Sequence, residues 1–236
     1  MHFHLPKPLH GWREFAGEVG IIVIGILIAL GGEQLVEAAH WRQQVRLEQE
    51  ALQSEVVGNL DAVRLRMLLE PCVRARLKEL SRIFDDAERG MQPKLATNVG
   101  FPLPSGASKG AWNIAVTGDA LSHMPIQEQL DFSNAFANFD NWDAIRREEF
   151  DVWTRLGVLD QKSRLSGTDL TALRQALAQA IAIDGRVTSI GPFILRTASV
   201  GQKPDQFTLK DAFGVAGYGG DFCKPLLPNS DRAGEP

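Results

Sequence analysis

The chain has 236 residues, a formal net charge of −4 and a pI near 5.8. That acidic balance argues against nucleic acid as a partner, which calls for a basic patch or stripe. Hydrophobic residues make up 44% and charged residues 23%, so the chain can bury a core and is not a disordered stalk.

Residues 1–14 carry His2, His4, His10, Lys7, Arg13 and Trp12. A His-rich tract can bind metal, but a polar lead-in explains the composition, and no metal or other cofactor is assigned. The segment reads as a short cytoplasmic end, with Trp12 at headgroup level.

An uncharged run, VGIIVIGILIAL, follows at residues 19–30, between Glu18 and Glu33. Extended to residues 15–36 it reaches the roughly 20 residues that cross a bilayer core, with both carboxylates near the interfaces. A cleaved signal peptide is the nearest rival, with Lys7 and Arg13 before the core and a small-x-small site at Ala29-Leu30-Gly31. Against it, the helical pattern runs through the supposed cleavage site. A buried core helix fits less well because the run has no polar face, and an interfacial helix would need a charged one. Ala16 and Gly20 are four apart, as are Gly25 and Ala29. That spacing allows close helix–helix contact in lipid, though Gly and Ala are common in membrane helices anyway. Lys7 and Arg13 orient the N-terminus to the cytoplasm and the main domain to the far side of the membrane, the periplasm of a bacterium.

Beyond the anchor the pattern stays helical to Glu70, with Ala38, Trp41, Val45, Leu52, Val56, Leu60, Val63 and Met67 on one side. Arg42, Glu48, Glu55, Asp61 and Arg64 take the other. Gly31-Gly32 is a candidate hinge; without one, anchor and soluble helix form a rod of about 75 Å. Pro71 fits the first position of a second helix that stops at Gly90, and the two read as an antiparallel hairpin. Residues 90–110 are a Pro- and Gly-rich loop. A short helix is expected over residues 111–124, with Trp112 and Leu121 in its apolar set. A long one follows over residues 125–159, whose stripe of Phe132, Phe136, Phe139, Trp142, Phe150 and Trp153 reads as core. Ser166 and Asp169 form a capping signal for a last helix that Pro192 kinks without ending. Residues 201–236 are loop-like apart from a turn at 208–213, and residues 228–236 read as disordered. The fold class is all-α: a transmembrane helix (15–36) continuing into an antiparallel helical bundle (37–200), with a C-terminal tail (201–236).

Only two cysteines occur, Cys72 and Cys223. An exported compartment permits them to pair, stapling the tail to the bundle; two unrelated buried thiols are the other reading. Gly106-Ala107-Ser108-Lys109-Gly110 matches G-x-S-x-G, but that motif needs a strand-to-helix turn and none is evident, so Ser108 reads as a helix cap. Asp119, Ser122 and His123 could align a base with a carboxylate; a surface hydrogen bond explains them equally. The clusters Asp85/Asp86/Glu88 and Glu148/Glu149/Asp151 read as solvated helix faces beside Arg89, Arg146 and Arg147. No catalytic residue is assigned, and the chain reads as a non-enzyme.

The stretch EFAGEVGIIVIGILIALGGEQLVEAAHWR at residues 14–42, with Gly17-Glu18 and Ile24-Gly25-Ile26-Leu27-Ile28-Ala29-Leu30, resembles a group of uncharacterised bacterial envelope proteins. Those have a short polar segment, a membrane helix and about 200 mostly helical residues. Where the group recurrently has Asn-Trp after the anchor, this chain has His40-Trp41. The resemblance implies a single-pass inner-membrane protein and carries over no catalytic residue. The expected function is that of an accessory or scaffold subunit acting through protein contacts, with a protein partner or second copy met through anchor and bundle. The alternative is a periplasmic ligand-sensing module with a pocket near Trp112 and His123.

Overall fold

The structure, a computed structural model, describes residues 11–91, 94–102, 106–161, 165–198 and 219–228. Every regular element among these residues is helical. The first helix, α1, runs Trp12–Leu68, 57 residues, or about 85 Å. No proline interrupts it, and Gly31-Gly32 lies inside it without a break, so the rod alternative holds and the hinge does not. Among the described residues almost nothing packs on its apolar N-terminal part: the most apolar 18-residue window has mean hydropathy 2.2 and is 0% buried. From Leu52 onward one face turns inward through Leu52, Val56, Leu60 and Val63.

The second helix, α2 (Glu70–Glu88), does not fold back on α1 as a hairpin. Leu69, the one residue between them, is itself right-handed helical, and the N–H of Val73 donates to its carbonyl at 3.0 Å. A reversal needs a loop of a few residues outside helical conformation. Here Pro71 removes one donor near the start of α2, so the path continues past the proline as a second segment of the same rod. Gly90 then ends α2 at φ 81, with Gly90 N–H donating to Ala87 O and Met91 N–H to Asp86 O, a Schellman motif closing the last turn.

A short α3 (Gly110–Thr117) and a 3-10 turn (Ala120–His123) pack beside the middle of α1. Helix α4 (Ile126–Leu156) then runs parallel to the rod: Glu128 accepts from Gln49 near its start, and Glu149 meets Arg66 near its end. Phe132, Phe136, Phe139, Trp142 and Trp153 are all buried, so the aromatic stripe is core. Phe150 is the exception; it is exposed and packs edge-on against Phe101. A 3-10 turn (Gly157–Gln161) closes α4, and α5 (Gly167–Thr197) returns antiparallel along it, the most extensive helix pair among the described residues. Ser166 and Asp169 form the expected capping box. α5 passes through Pro192 without ending, next to Gly191, which lies against Met67 and Trp142.

The tail is less loop-like than its composition implies. A short α6 (Gly219–Phe222) and the residues up to 228 pack on the bundle, with Phe222, Leu226 and Leu227 buried. The turn expected at 208–213 lies outside the described residues, as do His2, His4, His10 and Lys7 and, of the stretch 228–236 expected to be disordered, all but Pro228.

Two glycine substitutions separate rod from packing. At Gly31 and Gly32 an added Cβ meets nothing within 4 Å, so Gly31→Ala and Gly32→Ala should hold or raise stability, by up to about 1 kcal/mol each. At Gly191 the same methyl runs into Met67 and lies 3.5 Å from Trp142, so Gly191→Ala should cost about 1–3 kcal/mol. Thermal unfolding of the detergent-solubilised chain measures both.

Candidate functional site

Ser108 is committed to structure. Its Oγ donates to Glu55 Oε1 at 2.6 Å, while Asn59 of α1 clamps its backbone, accepting from Ser108 N–H at 2.7 Å and donating to Ser108 O at 2.9 Å. The other oxygen of Glu55 accepts from Trp112 N–H at 3.0 Å. Glu55, a residue of another helix, thus caps α3, whose first amides have no partner inside their own helix. Desolvation pushes the Glu55 carboxyl up, but the bonds from Ser108, Trp112, Ala111 and Gly110 together outweigh it and hold it below the usual carboxylate range. Stability tied to Glu55 is therefore present above the ordinary pKa and lost as pH falls through the lowered one. Glu55→Gln should weaken the cap slightly and Glu55→Ala by about 1 kcal/mol, with the acid limb of the stability profile flattened in both.

His123 is likewise occupied. Its ring stacks on Trp41 of α1 with centroids 3.9 Å apart and planes at 19°, and His40 meets the same indole edge-on at 5.3 Å. Ser122 Oγ donates to the backbone of Asp119. The contacts of Ser108 and His123 on α1 are fourteen residues apart, about 21 Å along the helix. No nucleophile–base pair can form between them. Trp112 stacks on Phe136 with centroids 5.0 Å apart.

Cys72 and Cys223 are joined, with Cα atoms 4.9 Å apart and a sequence separation of 151. The bond seats residues 219–228 as a strap across α2. Beneath it Arg76 is buried, its guanidinium donating to Phe222 O and Lys224 O at 2.8 Å and to Asn98 O at 2.9 Å. One α2 side chain thereby satisfies carbonyls of both the strap and the 94–102 loop. Ala96 N–H donates to Leu226 O at 2.8 Å, and Leu226 N–H donates to Glu79. Asp160 fixes the same loop by accepting from Val99 N–H at 2.8 Å. Burial pulls Arg76 below its ordinary value, and Glu79 and Asp160 offset only part of that fall.

A buried ion network joins the helices. The Arg66 side chain is 0% exposed and donates to Glu149 Oε1 at 2.8 Å and 3.1 Å, to Asp184 at 2.7 Å and to Glu70 at 3.2 Å. Arg146 makes ion-pair contact with Glu149, and Arg74 caps the outer side of Glu70 at 2.8 Å. Burial, aided by Arg66, pulls Arg146 down to about 9, which leaves it charged at pH 7. Burial pushes Asp184 up against its bond to Arg66, with Glu70 adding to the rise.

Sequence reasoning missed this network because Arg66, Glu149 and Arg146 each look like surface charge. The available signal was register: Asn59 and Arg66 fall at helical spacing on the face of Leu52, Val56 and Val63. The carboxylate clusters divide accordingly. Asp85 and Glu88 pair with Arg174, Asp86 with Arg89, and Glu148 with Arg186, all near the surface, whereas Glu149 is buried. Ala16 and Gly20 lie on one face of α1 and Gly25 and Ala29 on the opposite one, since nine residues advance a helix by half a turn beyond whole turns. No group of His, Cys, Asp and Glu among the described residues is placed to hold a metal ion. No protein-family model, curated protein or solved structure matches the chain.

Proposed function

We propose that the chain is a single-pass envelope protein, anchored in the bacterial inner membrane by residues 15–36. Its helical bundle stands in the periplasm and works through protein contacts as an accessory or scaffold subunit. The observation that carries this reading is α1 itself: an uncovered apolar stretch passes without a break into the helix that supplies the bundle core. A helix continuous across that boundary holds the bundle at a fixed angle and height above the bilayer, which suits a scaffold. The disulfide supports the far side of the membrane, since such bonds persist in oxidising compartments. The likeness to anchored envelope proteins over residues 14–42 points the same way.

The scaffold role is supported by where the polar groups go. Ser108, His123, Arg76 and Arg66 all serve to join elements of the bundle. A topology reporter fused after Pro236 should read periplasmic; a cytoplasmic signal ends the compartment argument. Co-purification at native expression in mild detergent should bring down a stoichiometric protein partner or a second copy, and a chain recovered alone as a monomer argues against a subunit role.

A further inference from the structure

Both charges within residues 15–36 fall on one side of α1. Residues 19–32 are uncharged and span about 21 Å, roughly 9 Å less than a hydrocarbon core of about 30 Å. Glu18 and Glu33 therefore stand a few ångströms inside its two edges, where ionised side chains are rare unless paired. Neither has a Lys or Arg three or four residues away on α1. The charged neighbours at that spacing are Glu14 and Glu37, so each end of the run holds a repelling carboxylate pair. Arg42 is nine residues from Glu33 and Arg46 nine from Glu37, half a turn round the helix in both cases. Arg46 meets Glu50 instead, at 3.9 Å. Arg13, five residues before Glu18, lies about 140° round from it.

Gly25, Ala29 and Gly32 lie between the two glutamates and, like Glu33, within about 60° of Glu18 by helical register. An added Cβ at Gly25 or Gly32 meets nothing within 4 Å, so this side is uncovered. It also faces away from the bundle. Burial at Ala38, Trp41, Val45 and Leu52 traces the inward face down to the anchor, about 140–200° round from Glu18. Ala16 and Gly20 fall on that inward side, which carries no charge in the membrane.

Resting on the anchor reading above, we propose that the outward side of α1, from Glu18 to Glu33, docks a membrane helix of a partner protein. That helix carries a Lys or Arg near each end of its apolar run. Gly25, Ala29 and Gly32 let the two backbones approach closely, and each cation meets a pair of carboxylates four residues apart. Charge excludes a second copy from this side, because a parallel pair sets Glu18 against Glu18 and Glu33 against Glu33.

The test uses the full chain in phosphatidylcholine vesicles, with bimane at Ile24→Cys and the native disulfide left oxidised. The probe is a synthetic Leu/Ala membrane helix bearing an acceptor dye and two lysines 15 residues apart, the separation of Glu18 and Glu33. Energy transfer to it should exceed, several-fold, transfer to the same helix with glutamines in place of the lysines. Glu18→Gln with Glu33→Gln should remove that excess, and Ala29→Ile should lower transfer several-fold. Gly20→Ile, on the bundle side, should leave it unchanged. Equal transfer to the lysine and glutamine helices overturns the proposal, as does an equal loss from Gly20→Ile and Ala29→Ile. Transfer between two labelled copies that exceeds transfer to the lysine helix also overturns it and gives the face to a second copy. The anchor reading fails separately, if acyl-chain nitroxides do not quench the label at 24.

Discussion

Arg66→Ala lowers the unfolding free energy by about 3–5 kcal/mol, the loss expected when one partner of a buried ion network is removed. The size follows from what stays behind. Glu149 is nearly fully buried, Asp184 and Glu70 are largely so, and all three lose a guanidinium they share. Arg146 still faces Glu149, so the charge on that carboxylate is only half abandoned. Arg66→Lys should recover little, because an ammonium cannot bond Glu149 through two nitrogens while reaching Asp184 and Glu70. Replacing Arg66, Glu149 and Asp184 together by apolar residues of similar volume should cost far less than Arg66→Ala alone. Urea unfolding of the detergent-solubilised chain, followed by circular dichroism, measures all of these. An unchanged midpoint for Arg66→Ala would show that the network contributes nothing.

Breaking the Cys72–Cys223 bond is the second large effect. It closes a loop of 151 residues, and chain entropy alone gives about 5 kcal/mol for a loop of that length, with 2–5 kcal/mol typical for native disulfides. Cys72→Ser, Cys223→Ser and reduction of the unmodified chain should therefore lower the thermal midpoint by a similar amount. The strap should not leave the bundle entirely, because Phe222, Leu226 and Leu227 are buried and Arg76 still holds two of its carbonyls. Arg76→Ala should accordingly be mild in the oxidised protein and severe in the reduced one, since two groups that seat one segment do not act additively. Limited proteolysis near Leu226 reports the release directly. Equal midpoints for oxidised and reduced chain would rule the staple out as a source of stability.

Much of the fold was legible because helical periodicity is a local property. Leu52, Val56, Leu60 and Val63 mark the inner face of α1, Phe132 through Trp153 that of α4, and Ser166 with Asp169 the start of α5. Each signal needs only residues within a few turns of one another. The α1–α2 junction was misread for the converse reason. Pro71 marks a boundary in the chain, but whether the path bends or reverses depends on the conformation of Leu69 and on what α4 and α5 offer beyond it. Phe150, read as part of the core stripe, lies exposed against Phe101 instead.

The polar sites were the least legible part. Ser108 sits in a pattern associated with nucleophiles, yet its role is set by Glu55 and Asn59, both about 50 residues earlier in the chain. His123 finds Trp41, and Arg66 finds Glu149 and Asp184, across separations that no local pattern encodes.

By itself the sequence determined the all-helical class, the helix faces and the apolar N-terminal stretch, because these depend on residue type and spacing along one helix. Only the tertiary structure decided that this stretch runs unbroken into the core, that the tail becomes a strap, and which charges are buried. Those outcomes depend on which surfaces meet, and a carboxylate 83 residues from an arginine becomes its partner only when two helices are packed.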